Sequence, residues 1–128
     1  MKPIIKGMCA AAAATAIVMG SSCSKKEHVN PFLAEYDTEF QIPPFDRIEI
    51  DDYLPAFDAG IRAANAKIDS IVSNPETPTF ENTILPLSCL SPTLDRVMSV
   101  LMSLTEADSS DELTEVSEKI MPRYTAFN

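Results

Sequence analysis

In three stretches between Leu54 and Phe127 the apolar residues of this chain return at every third or fourth position, and that spacing leaves one class of fold open to it. Leu54, Phe57, Ile61, Ala64, Ile68 and Ile71 make one series. Phe80, Ile84, Leu87, Leu90, Leu94, Val97, Leu101 and Leu104 make a second, and Leu113, Val116, Ile120, Tyr124 and Phe127 a third. Steps of three and four bring side chains onto one stripe of an α-helix, whereas a half-buried strand needs strict alternation. No alternating run exists here, and neither does an Asn-Gly or Asp-Gly hairpin. The fold expected is all-α, with Leu54, Phe57, Ile61, Ile68, Phe80, Ile84, Leu94, Val97, Leu101, Leu113, Val116, Ile120 and Phe127 turned inward.

Prolines and capping residues place the helix ends. Asp51 or Asp52 suits the start of the first helix, where a carboxylate meets the positive end of the dipole, and Pro55 falls in its first turn. Asn74-Pro75 ends it, because a residue before proline avoids the α region. The stretch "NPETPTFENTI" then reads as a stiff corner, with Thr79 as N-cap of the next helix and Phe80 as its first apolar contact. Pro86 and Pro92 interrupt that helix while its stripe keeps phase, which predicts a bent or split helix recapped at Ser91. The third helix starts near Ser110, with Pro122 bending it, and its stripe is still running at Asn128. On that ground the helical region 46–128 reads as incomplete at its C-terminal end.

The first 22 residues belong to another category. Lys2 and Lys6 precede an apolar run from Gly7 to Met19, about 13 residues against the roughly 20 a membrane span needs, and small residues lead to Cys23. Residues 1–22 read as a signal peptide of lipoprotein type. "MGSSC" resembles a lipobox with Gly20 in place of the usual leucine, which makes Cys23 the expected lipidation site and the protein an exported lipoprotein held to a membrane, facing the periplasm or cell exterior. Ordinary cleavage, or a Cys23–Cys89 disulfide, are the alternatives. Cys9 leaves with the apolar run, and Cys89, if unpaired, reads as a thiol packed in the core. Residues 23–45 form a tether and an extended arm, its aromatic residues docking on a surface that the sequence does not name and Pro43-Pro44 holding it straight.

Charge and motif exclude most chemistry. Losing residues 1–22 removes two lysines and takes the formal net charge from −9 to −11, which disfavours nucleic acid as a partner. There is no H-E-x-x-H, G-x-S-x-G, phosphate-binding glycine loop or C-x-x-C. The one histidine, His28, has no second ligand nearby, so no metal or catalytic residue is assigned within the chain. The acidic groups Asp51-Asp52, Asp108 to Glu112 and Glu115 with Glu118 sit at helix starts or on solvent faces.

Three stretches carry a resemblance: "FDRIEIDDYLPAFDAGI", "NPETPTFENTILPL" and "LDRVMSVLMSLTEADSSDEL" are similar to the N-terminal region of M3-family zinc metallopeptidases. "NPFL", "PPFD" and "NTIL" lean toward the family's bacterial peptidyl-dipeptidase branch, with the oligopeptidase A branch as near relative. The resemblance implies the front of a larger all-helical fold split by a deep channel. It also implies a zinc ion held by an H-E-x-x-H helix and a further glutamate beyond residue 128, short peptides as substrates, and a C-terminal catalytic domain as the partner of these helices. None of those ligand positions matches a residue here, so the chain itself is expected to be inactive and to bind no zinc. "LPLSCLSPTLDRV" departs from the family's uninterrupted helix. The reading from a different class is a stand-alone, non-enzymatic helical lipoprotein that binds a partner.

Overall fold

The computed structural model describes residues 28–128. The expected signal peptide, residues 1–22, and the expected lipidation site Cys23 lie outside the described residues. Among those residues there is no strand. 3-10 turns at Pro31–Leu33, Glu39–Gln41 and Ile50–Asp52 lead into helix α1, Tyr53–Val72. A π-helical turn, Phe80–Ile84, runs into the short α2, Leu85–Leu87, followed by α3, Pro92–Ala107, and α4, Asp111–Phe127.

The caps follow the chemistry of the sequence. Thr79 accepts from the Asn82 backbone N–H while the Asn82 side chain accepts from that of Thr79, a reciprocal capping box. The second apolar series is split, as its prolines require. α2 ends at Leu87, and α3 restarts with the Ser91 hydroxyl accepting from Leu94 N–H at 3.2 Å. Ser110 caps α4 in the same way, and α4 continues through Pro122 to Phe127.

α1 and α3 share the most extensive contact of the fold, and α4 lies against both. On α1 the residues facing that contact are small at every fourth position: Ala56, Gly60 and Ala64 are all buried. A Cβ added at Gly60 would sit 2.9 Å from the backbone N, Cα and Cβ of Leu94, so the two helices touch there backbone to backbone. Around this crossing Phe32, Tyr53, Phe57, Val97, Leu101 and Ile120 are fully enclosed. Arg123 of α4 reaches α1, where its guanidinium lies 5.0 Å from the Phe57 ring centroid and donates to Asp58.

Several inward assignments need correction. Phe57, Leu94, Val97, Leu101, Leu113, Val116 and Ile120 are buried, but Leu54, Ile61, Ile68 and Phe127 are only partly covered. α1 is rotated toward α3 through its small residues, which brings Tyr53 in and turns the larger aliphatics to the margin. Phe80, Ile84 and Leu87 are exposed, because the corner carrying them stands off the α1–α3–α4 core. Cys89 is also exposed, not packed: the helix ends before it, and it falls in the turn between α2 and Ser91. The arm is not held straight either. Phe40 and Gln41 both take φ of 56°, and Pro44 begins a turn in which Arg47 N–H donates to its carbonyl at 2.9 Å.

The crossing gives a sharp test. Gly60→Ala gains up to about 1 kcal/mol of helix propensity. It also inserts a methyl against backbone atoms, an overpacking that costs about 1–3 kcal/mol. Backbone cannot swing aside as a side chain would, so the clash prevails. Chemical denaturation should show net destabilisation by about 1–2 kcal/mol; an equally stable or more stable variant would contradict the close crossing.

Candidate functional site

The densest polar constellation lies where the arm meets the start of α1. Asp52, the buried last residue of its 3-10 turn, uses each carboxylate oxygen once: Oδ2 accepts from Glu49 N–H at 2.8 Å, and Oδ1 pairs with His28 Nε2 at 2.8 Å. Glu49 returns the cap by accepting from the Asp52 backbone. His28 Nδ1 stands 3.7 Å from Glu49 Oε1, so the imidazole lies between two carboxylates. Asn30 joins that segment to its own turn. Its Nδ2 donates to the Asp52 carbonyl at 2.8 Å, and its Oδ1 caps the Pro31–Leu33 turn through Phe32 N–H.

One turn further on, the arm is pinned to α3. Arg96 donates from Nε and Nη2 to the Phe32 carbonyl at 3.1 and 3.0 Å, and its guanidinium lies 5.8 Å over the Tyr36 ring. The Phe32 ring packs at 5.0 Å on Tyr53. Burial pushes the Tyr53 hydroxyl up to about 12 and raises that of Tyr36 as well. The sequence puts His28 in the tether with no second ligand nearby. The missed information was its partner, Asp52, 24 positions away; Asp52 had been read as a helix-start charge alone.

Chemically this is a clasp. The His28–Asp52 pair has the form of a base with its orienting carboxylate, but no serine, threonine or cysteine hydroxyl or thiol is hydrogen-bonded to the imidazole among the described residues. No group of three or more His, Cys, Asp and Glu among the described residues is arranged to hold a metal. Among the other acidic residues, Asp37, Asp58 and Glu115 make surface pairs, and Glu81, Asp95, Asp111 and Glu112 stand in first turns of helices. Glu112, for example, is held below the usual carboxylate range by its own backbone N–H and the Ser110 hydroxyl. A cleft of about 330 Å³ opens between the Phe45–Ile50 segment and the ends of α3 and α4, walled by Ile48, Tyr53, Leu104 and Leu113. Its rim groups are Asp108 and Ser110, and the Ser110 hydroxyl is already engaged in capping α4.

No family model matches the chain. Among curated proteins, the dipeptidyl carboxypeptidase of Salmonella typhimurium is 38% identical over 99 residues, 77% of this chain and 15% of that protein. The protein of the same name from Escherichia coli is 41% identical over 91 residues, 71% of this chain and 13% of its own length. Oligopeptidase A of Escherichia coli is 27% identical over 99 residues, again 77% of the chain and 14% of the relative. The chain thus spans only 13–15% of the length of these relatives.

The clasp predicts a pH dependence whose sign is fixed by its geometry. The hydrogen bond to Asp52 raises the His28 pKa above its ordinary 6.5, against partial desolvation and with help from the Asp52 and Glu49 charges. A raised histidine pKa stabilises the folded arm fully below the unfolded value, and that contribution disappears as pH rises through the folded one. With a single histidine in the chain, its ring-proton NMR signal titrates without ambiguity. The midpoint should lie above 6.5 and return toward 6.5 in Asp52→Asn. Arm amide protection, corrected for intrinsic exchange, should fall across the same interval; a wild-type midpoint at or below 6.5 would contradict the clasp.

Proposed function

We propose that this chain, homologous to the N-terminal part of the M3 peptidases dipeptidyl carboxypeptidase and oligopeptidase A, supplies the N-terminal helical wall of a zinc peptidase that releases dipeptides from the C-termini of short peptides. The observation that carries this reading is the 38–41% identity to two dipeptidyl carboxypeptidases, against 27% to oligopeptidase A. The all-helical fold and its clasped arm support a structural role: they hold a hydrophobic core and a fixed set of helix directions. Zinc belongs to the whole enzyme on this reading. The residues described here do not fit it, since no cluster of three candidate ligands exists among them, and no step of peptide hydrolysis is derived from this chain.

A chimera tests the reading. In the Escherichia coli dipeptidyl carboxypeptidase, the 91 residues of this chain that match replace the corresponding N-terminal segment. Dipeptide release from a short peptide should stay within about tenfold of the parent, a loss of ~1.4 kcal/mol at most. The 128-residue chain alone should retain no stoichiometric zinc after dialysis and cleave nothing. A folded, zinc-loaded chimera without activity would favour the stand-alone partner-binding lipoprotein.

The export proposal stands on sequence alone: Lys2, Lys6, the apolar run and the small residues before Cys23. Mass spectrometry of the protein from a bacterial host should find Cys23 N-terminal and acylated, and Cys23→Ala should move it from the membrane to the soluble fraction. An unmodified Cys23 would defeat the proposal.

A further inference from the structure

Large side chains are left uncovered along the arm, with Phe40 85% exposed and Phe45 51%, and again in one corner beyond α1. Val72 is 79% exposed at the end of α1; Phe80 is 61%, Ile84 52%, Leu85 55% and Leu87 42% exposed in the turn and short helix that follow. Single exposed aliphatics need no explanation, but five within sixteen residues of one corner form an unpartnered apolar face. This corner is also stiff. Beyond the Thr79–Asn82 capping box, Asn82 Nδ2 donates to the Thr77 carbonyl at 3.0 Å, Thr83 Oγ1 donates to Asn82 Oδ1 at 2.8 Å, and Asn74 Oδ1 accepts from Glu76 N–H at 3.0 Å. Pro75 and Pro78 restrict what backbone freedom remains. A polar network built within the corner therefore fixes the directions in which its apolar side chains point. A partner meeting them has little ordering entropy to overcome.

We infer that this corner is a docking surface for the helical body corresponding to the 85% or more of each relative that this chain does not match, and that it takes an apolar helix face with a basic rim. The inference rests on the reading given under Proposed function. Two observations select this occupant. Relatives 38–41% identical have most of their length outside the matched segment, so an apolar face on the segment has a body to meet. The corner's own charge is acidic: across residues 72–91 the charged residues are Glu76 and Glu81, with no lysine or arginine, although Lys67 and Arg96 stand further out on α1 and α3. A bilayer is the less suitable occupant. The stretch Phe80–Ala107 is apolar enough in composition to cross one, but its helix breaks between Leu87 and Ser91, and Leu94, Val97 and Leu101 are spent on the core.

The test compares the 128-residue chain with the chimera described above, by hydrogen exchange and thermal melting. Amides of residues 80–87 should exchange at least about tenfold more slowly in the chimera than in the chain alone. Phe80→Ser combined with Leu87→Ser should lower the chimera's melting temperature by several degrees. The same pair should leave the helicity and melting of the chain alone unchanged, since both side chains are exposed there. An active chimera with no added protection would overturn the docking surface and leave the functional reading standing. An inactive chimera with the corner protected, and destabilised by the double variant, would support the surface and count against the function. Protection that grows with the concentration of the chain alone would assign the corner to a second copy. Co-sedimentation with phosphatidylglycerol–phosphatidylcholine vesicles, lost in the double variant, would assign it to a membrane. Either result overturns the inference.

Discussion

The contact on which the rest of the structure depends is the backbone approach of α1 to α3 at Gly60 and Leu94. A helix pair normally meets through side chains at 8–10 Å between axes. Here Ala56, Gly60 and Ala64 remove the side chains from one partner, so α3 settles directly on the α1 surface. That approach closes Val97 and Leu101 against Phe57, and brings Arg96 to the side on which the arm arrives. Larger residues at the crossing would lift α3 away. Phe32 would then lose the pocket it shares with Tyr53, and Arg96 its reach to the Phe32 carbonyl.

The arm depends on this pair in a graded way. Phe32 supplies burial, Arg96 supplies two charge-assisted hydrogen bonds from α3, and His28 with Asn30 ties the arm's first residues to the turn that starts α1. Neutral His28 can still hydrogen-bond Asp52, so loss of its charge weakens the arm's beginning without freeing Phe32. The pH-sensitive portion is thereby confined to the arm's outer end, while the core beneath stays pinned by contacts that do not titrate near neutrality.

Much of the architecture was legible because it is local. The split of the second apolar series follows from Pro86 and Pro92, and the caps at Thr79, Ser91 and Ser110 need only a hydroxyl three residues before a free N–H. Leu94, Val97, Leu101, Leu113, Val116 and Ile120 follow from helical period. Period tells which face of a helix is apolar; it does not tell which part of a broad apolar face a neighbour covers. Phe80, Ile84 and Leu87 satisfied the period and stayed exposed, whereas Ala56 and Gly60 carried almost no hydropathic weight and proved to be the centre of the packing. The clasp was hidden for a different reason. Its two ends lie 24 positions apart, and no local pattern joins a lone histidine to one of 19 acidic residues.

The acid excess and the apolar corner divide the surface between them. Of the six lysines and arginines among the described residues, Arg47 pairs with Asp37, Arg96 is held by Phe32 and Thr93, Lys119 faces Glu115 at 4.0 Å, and Arg123 is on Asp58. Most of the carboxylates are left solvated and spread over several elements, an arrangement that keeps a helical unit dispersed but selects no particular shape. Shape selection falls to the corner, where exposed apolar groups sit on a backbone braced by its own hydrogen bonds. Its neighbouring acids would repel another acidic copy of this chain and attract a basic rim, so the same charge distribution that disfavours self-pairing steers the corner toward a partner of opposite sign.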